Sequence, residues 1–258
     1  MNRFDRLVQD TNKKPLILYF PVQDTIFDDD VKWAKKYFDN GCTVLEIGLA
    51  NDNPVLDGKT VRDSMARVLS HSNTDKMFAS IKKIREYCPE NILQIMVYFR
   101  VIEEMGMDVF AQKCEDAGVD GVLSPDVPKE KMSVLDQALG AKEIYNLRFV
   151  PYHLTDEVIE DLRKNAKGYI FQQAVDGATG AQKTVSEQIR FNVRRIKESG
   201  VKTPVCAGFG ISNADQVKEA LHMGADGVIV GSATVSHIIA GDGENFIKSL
   251  GDACGNLG

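Results

Sequence analysis

Eight short apolar runs, each separated from the next by a longer segment of helical period, predict one α/β domain of TIM-barrel type, (β/α)8, spanning residues 1–258. Two further observations agree with this. Three helical segments end alike, in a glycine and a turn that leads straight into a strand, and 258 residues is an ordinary length for a single barrel of this kind. A doubly wound sheet is the alternative. It is weaker because no Gly-x-Gly-x-x-Gly follows the first strand, where a dinucleotide would be held.

Taken in order, Phe4 to Gln9 is expected as a short helix that plugs the N-terminal end of the barrel. Strands are expected at Leu16 to Phe20, Val44 to Ile47, Ile92 to Tyr98, Gly121 to Leu123, Tyr145 to Val150, Tyr169 to Gln172, Pro204 to Ala207 and Gly227 to Val230. Between them apolar residues recur at helical spacing: Phe110, Cys114 and Ala117; Met132, Leu135 and Leu139; Val185, Ile189, Val193 and Ile196; Ala214, Val217 and Leu221. These stripes read as core packing. Helix starts are signalled by Asp28-Asp29-Asp30 before Trp33, by Thr155 before Asp156 and Glu157, and by Ser212-Asn213 before Ala214, side chains that accept from the unpaired amides of a first turn. The repeated stops are Asn40-Gly41, Gly118-Val119-Asp120-Gly121 and Gly224-Ala225-Asp226-Gly227, where glycine takes the left-handed conformation at low cost.

Composition narrows the function. Hydrophobic residues are 43% and charged residues 26%, the balance of a soluble globular protein. A formal net charge of -6 with no Lys/Arg cluster argues against nucleic acid as a partner, so an anionic ligand needs a local site. The five cysteines contain no Cys-x-x-Cys pair and read as reduced, mostly buried thiols of a cytoplasmic protein. The N-terminal stretch has no apolar signal region and no segment reaches membrane-spanning length, so no membrane partner and no removed leader are expected.

In a barrel, chemistry is sought at the C-terminal ends of strands and in the loops that follow. There, Val44-Leu45-Glu46-Ile47-Gly48 carries a carboxylate inside an apolar run, and Asp57 follows eleven residues later in the loop. Burial raises the pKa of such a group, which makes Glu46 the first candidate for acid/base work. The plain alternatives are an edge-strand glutamate facing water and an Asp57 that merely holds an Asp-Gly turn. Three glycine-rich stretches follow the last three strands: Asp176-Gly177-Ala178-Thr179-Gly180, Ala207-Gly208-Phe209-Gly210-Ile211-Ser212 and Val230-Gly231-Ser232-Ala233. Together, with a helix starting at Ser232, they predict a phosphate cup of backbone amides. Asp126 lies on the same side, with helix initiation as its other reading. His71 and His222 read as helical and solvent-facing, while His153 follows strand five and His237 stands near the end, so no histidine triad or metal site is expected. Cys206 reads as small-residue packing, with no histidine to activate it. Ala174 to Gln182 has the small-residue composition of a lid.

These segments, in this order and along nearly the full length, resemble the α subunit of tryptophan synthase. The likeness is carried by Leu45-Glu46-Ile47-Gly48, Leu56-Asp57-Gly58, Cys114-Glu115-Asp116-Ala117-Gly118-Val119-Asp120, Asp126-Val127-Pro128, Gly177-Ala178-Thr179-Gly180, Gly208-Phe209-Gly210-Ile211-Ser212 and Ala225-Asp226-Gly227 through Ala233. The resemblance implies a TIM-barrel lyase of tryptophan biosynthesis that cleaves indole-3-glycerol phosphate to indole and glyceraldehyde 3-phosphate. It implies no cofactor in this chain, pyridoxal phosphate belonging to a β subunit that would be its partner. By the same resemblance Glu46 is the general acid/base and Asp57 the carboxylate that bonds the indole N–H. Gly180, Gly210, Gly231 and Ser232 match the phosphate site, with Phe209 beside it. Thr179 matches the lid threonine that meets Asp57 on closure, and Tyr98 a tyrosine of the indole pocket.

The departures are specific. Pro-Phe-Ser-Asp-Pro after the glutamate strand is here Ala50-Asn51-Asp52-Asn53-Pro54, so Asn53 stands where the family's aspartate signals to the β subunit. Gly-Asp-Pro after strand one is Gln23-Asp24-Thr25, the active-site tyrosine of strand six is Phe171, and the lid's Ser-Arg is Ala174-Val175. Tyr-Asn-Pro after strand three is Phe99-Arg100-Val101, which places a charge near the expected indole pocket. Two rival readings follow: a related barrel acting on another sugar phosphate, favoured by Arg100, and a non-catalytic binding or regulatory homologue, opposed by retention of both acids.

Overall fold

The computed structural model describes residues 1–9, 13–173, 187–208 and 210–257. Nine parallel strand segments, β1 (Leu16–Pro21), β2 (Val44–Gly48), β3 (Ile92–Met96), β4 (Gly121–Leu123), β5 (Tyr145–Asn146), β6 (Arg148–Val150), β7 (Ile170–Gln173), β8 (Val205–Gly208) and β9 (Gly227–Val230), run in the order β5-β4-β3-β2-β1-β9-β8-β7-β6. Pairing of β1 with both β2 and β9 brings the two halves of the chain together. The remaining closure is made by the fifth expected strand, which changes partner midway. Tyr145 and Asn146 pair with β4, the Leu147 amide still donates to Val122 O at 2.8 Å, and Arg148 to Val150 pair with β7. Eight barrel strands are thus present, the fifth in two pieces.

Nearly every strand residue is buried, as a parallel sheet covered by helices requires. The helix signals hold: Asp29, Thr155 and Asn213 each cap a helix through a side-chain oxygen that accepts from the amide three residues on. Gly41, Gly118 and Gly224 stand at φ of 93°, 70° and 100°, the left-handed stops expected of them. The N-terminal plug is also present. Phe4 is fully buried with its ring centroid 6.2 Å from Tyr145 and 6.0 Å from Tyr169, and Arg3 and Asn2 anchor it on Asp120.

Three expectations need correction. The third strand stops at Met96 instead of Tyr98, because Phe99 opens a helix, Phe99–Met105, whose first amide is caught by Asp126 Oδ1 at 2.8 Å. Asp126 therefore neither enters the site nor starts the following helix Lys129–Gly140, which begins after Pro128. His71 lies in a turn, where its ring nitrogens meet the carbonyls of Arg67 and Gln23.

The loop after β1 braces the candidate site. Gln23 holds a φ of 65°, costly for a residue with a Cβ, and is kept there by its own bonds to Asp30 and Ser80. Asp24 beside it is buried and bonded to Ser64 and, at 2.8 and 2.7 Å, to Arg67. Both partners lie on the helix Lys59–Leu69, which starts directly after Asp57-Gly58. The carboxylate of the loop is thereby tied to the end of β1.

Candidate active site

Parallel register puts Tyr19, Glu46 and Gln94 side by side midway along β1, β2 and β3, all facing the barrel interior. Glu46 is only 4% exposed, and its Oε1 accepts from Gln94 Nε2 at 2.9 Å. Gln94 Oε1 in turn accepts from the Tyr169 hydroxyl at 2.8 Å. Burial, then the nearby Asp57 charge, push the Glu46 carboxyl up to about 8 against the opposing Gln94 bond. The alternative of a surface glutamate is excluded by this burial.

Asp57 is 6% exposed and does more than close a turn. Its Oδ2 accepts from the Tyr98 hydroxyl at 2.7 Å, and that hydroxyl accepts from the Leu56 amide at 3.1 Å. Burial raises Asp57 to about 6, with the Tyr98 bond and the Arg62 charge pulling the other way. Two carboxyls therefore share one space with unequal acidity, a pattern that separates an acid from a base near neutrality.

Both acids open on a cavity of about 560 Å³ walled by Met96, Leu123, Phe149, Phe171, Ile211 and Ile229. This is the size and apolar lining of a small-molecule site. The Phe171 ring lies 5.3 Å from Phe149 and fills the space beside Gly208, where a Cβ would come within 2.4 Å of the ring. The Tyr19 ring lies over Gly48 in the same way, and its hydroxyl is buried without a hydrogen-bond partner among the described residues. On another side the cavity is bounded by Gly210, Gly231 and Ser232, the last two at the N-terminus of the helix Ser232–Ala240. A helix start of this kind favours an anion.

Most of the expected site residues that are described converge here: Glu46, Asp57, Phe171, Gly210, Gly231 and Ser232. Thr179, Gly180 and Phe209, with the expected lid from Ala174 to Gln182, lie outside the described residues. Tyr98 is corrected: it does not line the cavity but stands behind Asp57 and holds it. Arg100 is corrected as well, because it is 57% exposed and pairs with Asp52 and Glu104 on the surface. Its charge sits on the far side of a helix turn that the apparent loop Phe99-Arg100-Val101 conceals in sequence. Tyr19, Gln94 and Phe149 join the site without a signal singled out in the sequence, and His237, there assigned no role, joins it too. The first three share the inward parity of Glu46 along their strands, a signal legible once the strands are placed. His237 lines the cavity rim, stacked 3.9 Å from the Phe246 centroid with Nδ1 3.0 Å from Asp242.

Among the described residues no cluster of three or more His, Cys, Asp or Glu could hold a metal, and no helix is long and apolar enough to cross a membrane. All five cysteines are buried, Cys206 with its thiol pushed up by burial and packed beside Gly227.

Fold and site together define a TIM-barrel protein with two buried carboxyls on an apolar cavity that is bounded on another side by a helix N-terminus. The chain belongs to the tryptophan synthase alpha chain family, whose sequence model matches residues 5–255. The tryptophan synthase alpha chain of Leptospira biflexa is 31% identical over 240 residues, 92% of this chain and 89% of that one. That of Methanoregula boonei is 32% identical over 239 residues, 91% and 88% of the two chains. The crystal structure of the alpha chain from Legionella pneumophila superposes with a TM-score of 0.86 at 25% identity, covering 100% of this chain and 99% of its own. A chain from Aquifex aeolicus reaches 0.89 at 24% identity, a likeness of fold. The family consists of lyases without a cofactor of their own, and its members pair with a β subunit that carries pyridoxal phosphate.

Proposed function

We propose that this chain cleaves indole-3-glycerol phosphate to indole and glyceraldehyde 3-phosphate by acid–base retro-aldol chemistry. The observation that carries the reading is the pair of buried carboxyls, at about 8 and about 6, opening on one apolar cavity. Near neutrality Glu46 holds its proton and Asp57 has largely lost its own. Asp57 accepts from the indole N–H and stabilises the positive charge that develops when Glu46 protonates C3 of the ring. The Glu46 carboxylate so formed then takes the proton of the hydroxyl on the adjoining glycerol carbon. That carbon becomes the aldehyde as its bond to C3 breaks, and the bonding pair returns to the ring to neutralise the iminium. The proton given to C3 remains on the ring carbon of indole, so Glu46 ends protonated and ready for another turnover. Met96, Leu123, Phe149 and Phe171 supply the slot for the ring. Gly210, Gly231 and Ser232, with Gly180 by resemblance, bind the phosphate at the helix N-terminus.

The surface position of Arg100 removes the feature that favoured another sugar phosphate. A β subunit is the proposed partner, met by the loop after β2, in which Asn51 and Asn53 bond each other and Val55 is 60% exposed. The cytoplasm is the proposed compartment.

Indole release from indole-3-glycerol phosphate, by the chain and its Glu46→Gln variant with and without a tryptophan synthase β subunit, tests this. Release that the variant abolishes is expected, with stimulation by β. No release from the folded parent chain under any of these conditions would overturn the proposal.

A further inference from the structure

Gln94 is a fully buried amide between Leu93 and Ile95 on β3, and a buried amide is costly unless both of its ends are satisfied. Both are, and by partners far apart in the chain: Tyr169 on one side and Glu46 on the other. The carbonyl oxygen of Gln94 can only accept, so the tyrosine must be the donor at 2.8 Å, and the NH2 is left to face the carboxyl.

We propose that Gln94, oriented by Tyr169, is a positioning residue that holds Oε1 of Glu46 and leaves Oε2 as the oxygen that exchanges protons with the ligand. Among the described residues Gln94 is the one hydrogen-bond partner of Glu46. Without Tyr169 the amide could turn over when Glu46 is protonated and accept from it, locking the acidic proton away from the cavity. With Tyr169 in place that orientation turns the amide NH2 to the phenolic oxygen and deprives the tyrosine O–H of the acceptor it has in Gln94 Oε1, at the cost of a buried hydrogen bond. The arrangement thus keeps Gln94 a donor in both states of Glu46, which favours the charged form and opposes burial. The other ionisable groups around this carboxyl are Asp57 from the loop above, Tyr19 on β1 and Tyr169 itself preceding β7. None of these is a hydrogen-bond partner of Glu46, so among the described residues Gln94 is the group through which a neighbour can act on it directly.

The inference deepens the proposed function and rests on it, but its test needs no turnover. The titration of Glu46 is followed in the resting chain by carboxyl 13C NMR of the glutamate-labelled protein, with Glu46→Gln supplying the assignment. Gln94→Met, close in shape, is expected to move the titration upward by about 1 pH unit, the effect of losing a bond to a charged group. Tyr169→Phe keeps Gln94 and is expected to give a smaller move in the same direction. The double variant should titrate where Gln94→Met alone does, because the tyrosine acts only through the amide. In the pH profile of indole release the same displacement should appear in kcat with little change in KM. An unmoved Glu46 titration in either folded single variant, or displacements that add in the double variant, would overturn the proposal. A chain that releases no indole but shows the expected titrations would instead sink the reading of its function and leave this arrangement standing.

Discussion

Replacing Glu46 by Gln keeps the shape of the side chain and its contact with Gln94 but removes its titration, so the variant isolates what the buried acid does to stability. Between 4.5 and about 8 the unfolded chain has released this proton while the folded chain holds it. The unfolded state then binds fewer protons, and stability falls as pH rises through that interval. At about 1.4 kcal/mol per pH unit the interval amounts to an upper bound of about 5 kcal/mol, reduced by whatever water enters through the cavity mouth. About 2 to 4 kcal/mol is therefore expected as the relative gain of Glu46→Gln over the parent between about pH 5 and about pH 8.5. The assay is urea unfolding at a series of pH values, with the slope against urea checked for constancy so that midpoints report stability. Asp57, raised to about 6, contributes its own decline at lower pH in both proteins and cancels from the comparison. Parent and variant curves that run parallel from about pH 5 to about pH 8.5 would refute the claim that the fold holds Glu46 protonated.

Tyr98→Phe removes the donor to Asp57 and the acceptor of the Leu56 amide, so the Asp57 carboxyl should titrate above about 6. The acid limb of kcat/KM for indole release should move up with it, and the loss of two buried bonds should cost about 1–3 kcal/mol in urea unfolding. Tyr19→Phe takes away a buried hydroxyl that has no partner among the described residues, and calorimetry should find the chain as stable as before or more stable by about 1 kcal/mol. A loss larger than that would mean the hydroxyl is engaged. Gly208→Ala sets a methyl 2.4 Å from the Phe171 ring and must drive that ring into the cavity. A rise of about tenfold in KM with a stability loss of about 1–3 kcal/mol is expected, and unchanged KM would show that the ring has room to retreat elsewhere.

Strand number and order, the three glycine stops, the side-chain caps at Asp29, Thr155 and Asn213 and the acid within β2 were all legible in the amino-acid sequence. Each depends on neighbours within one turn or one strand, where spacing and side-chain chemistry suffice. Tertiary structure alone decided the rest. Tyr98 passes from the pocket wall to a place behind Asp57, Asp126 caps a helix begun 27 residues earlier in the chain, and Arg100 turns out to the surface, because each depends on how separate βα units meet. The same holds for the partner change at Leu147, which exists only once β4 and β7 are both in place. Glu46 and Asp57 could be picked out as carboxylates, yet their unequal acidity could not, since it comes from burial and from Gln94 and Tyr98, 48 and 41 residues away. A side chain's identity is local, whereas its desolvation and its hydrogen-bond partners are set by whatever the closed barrel brings around it.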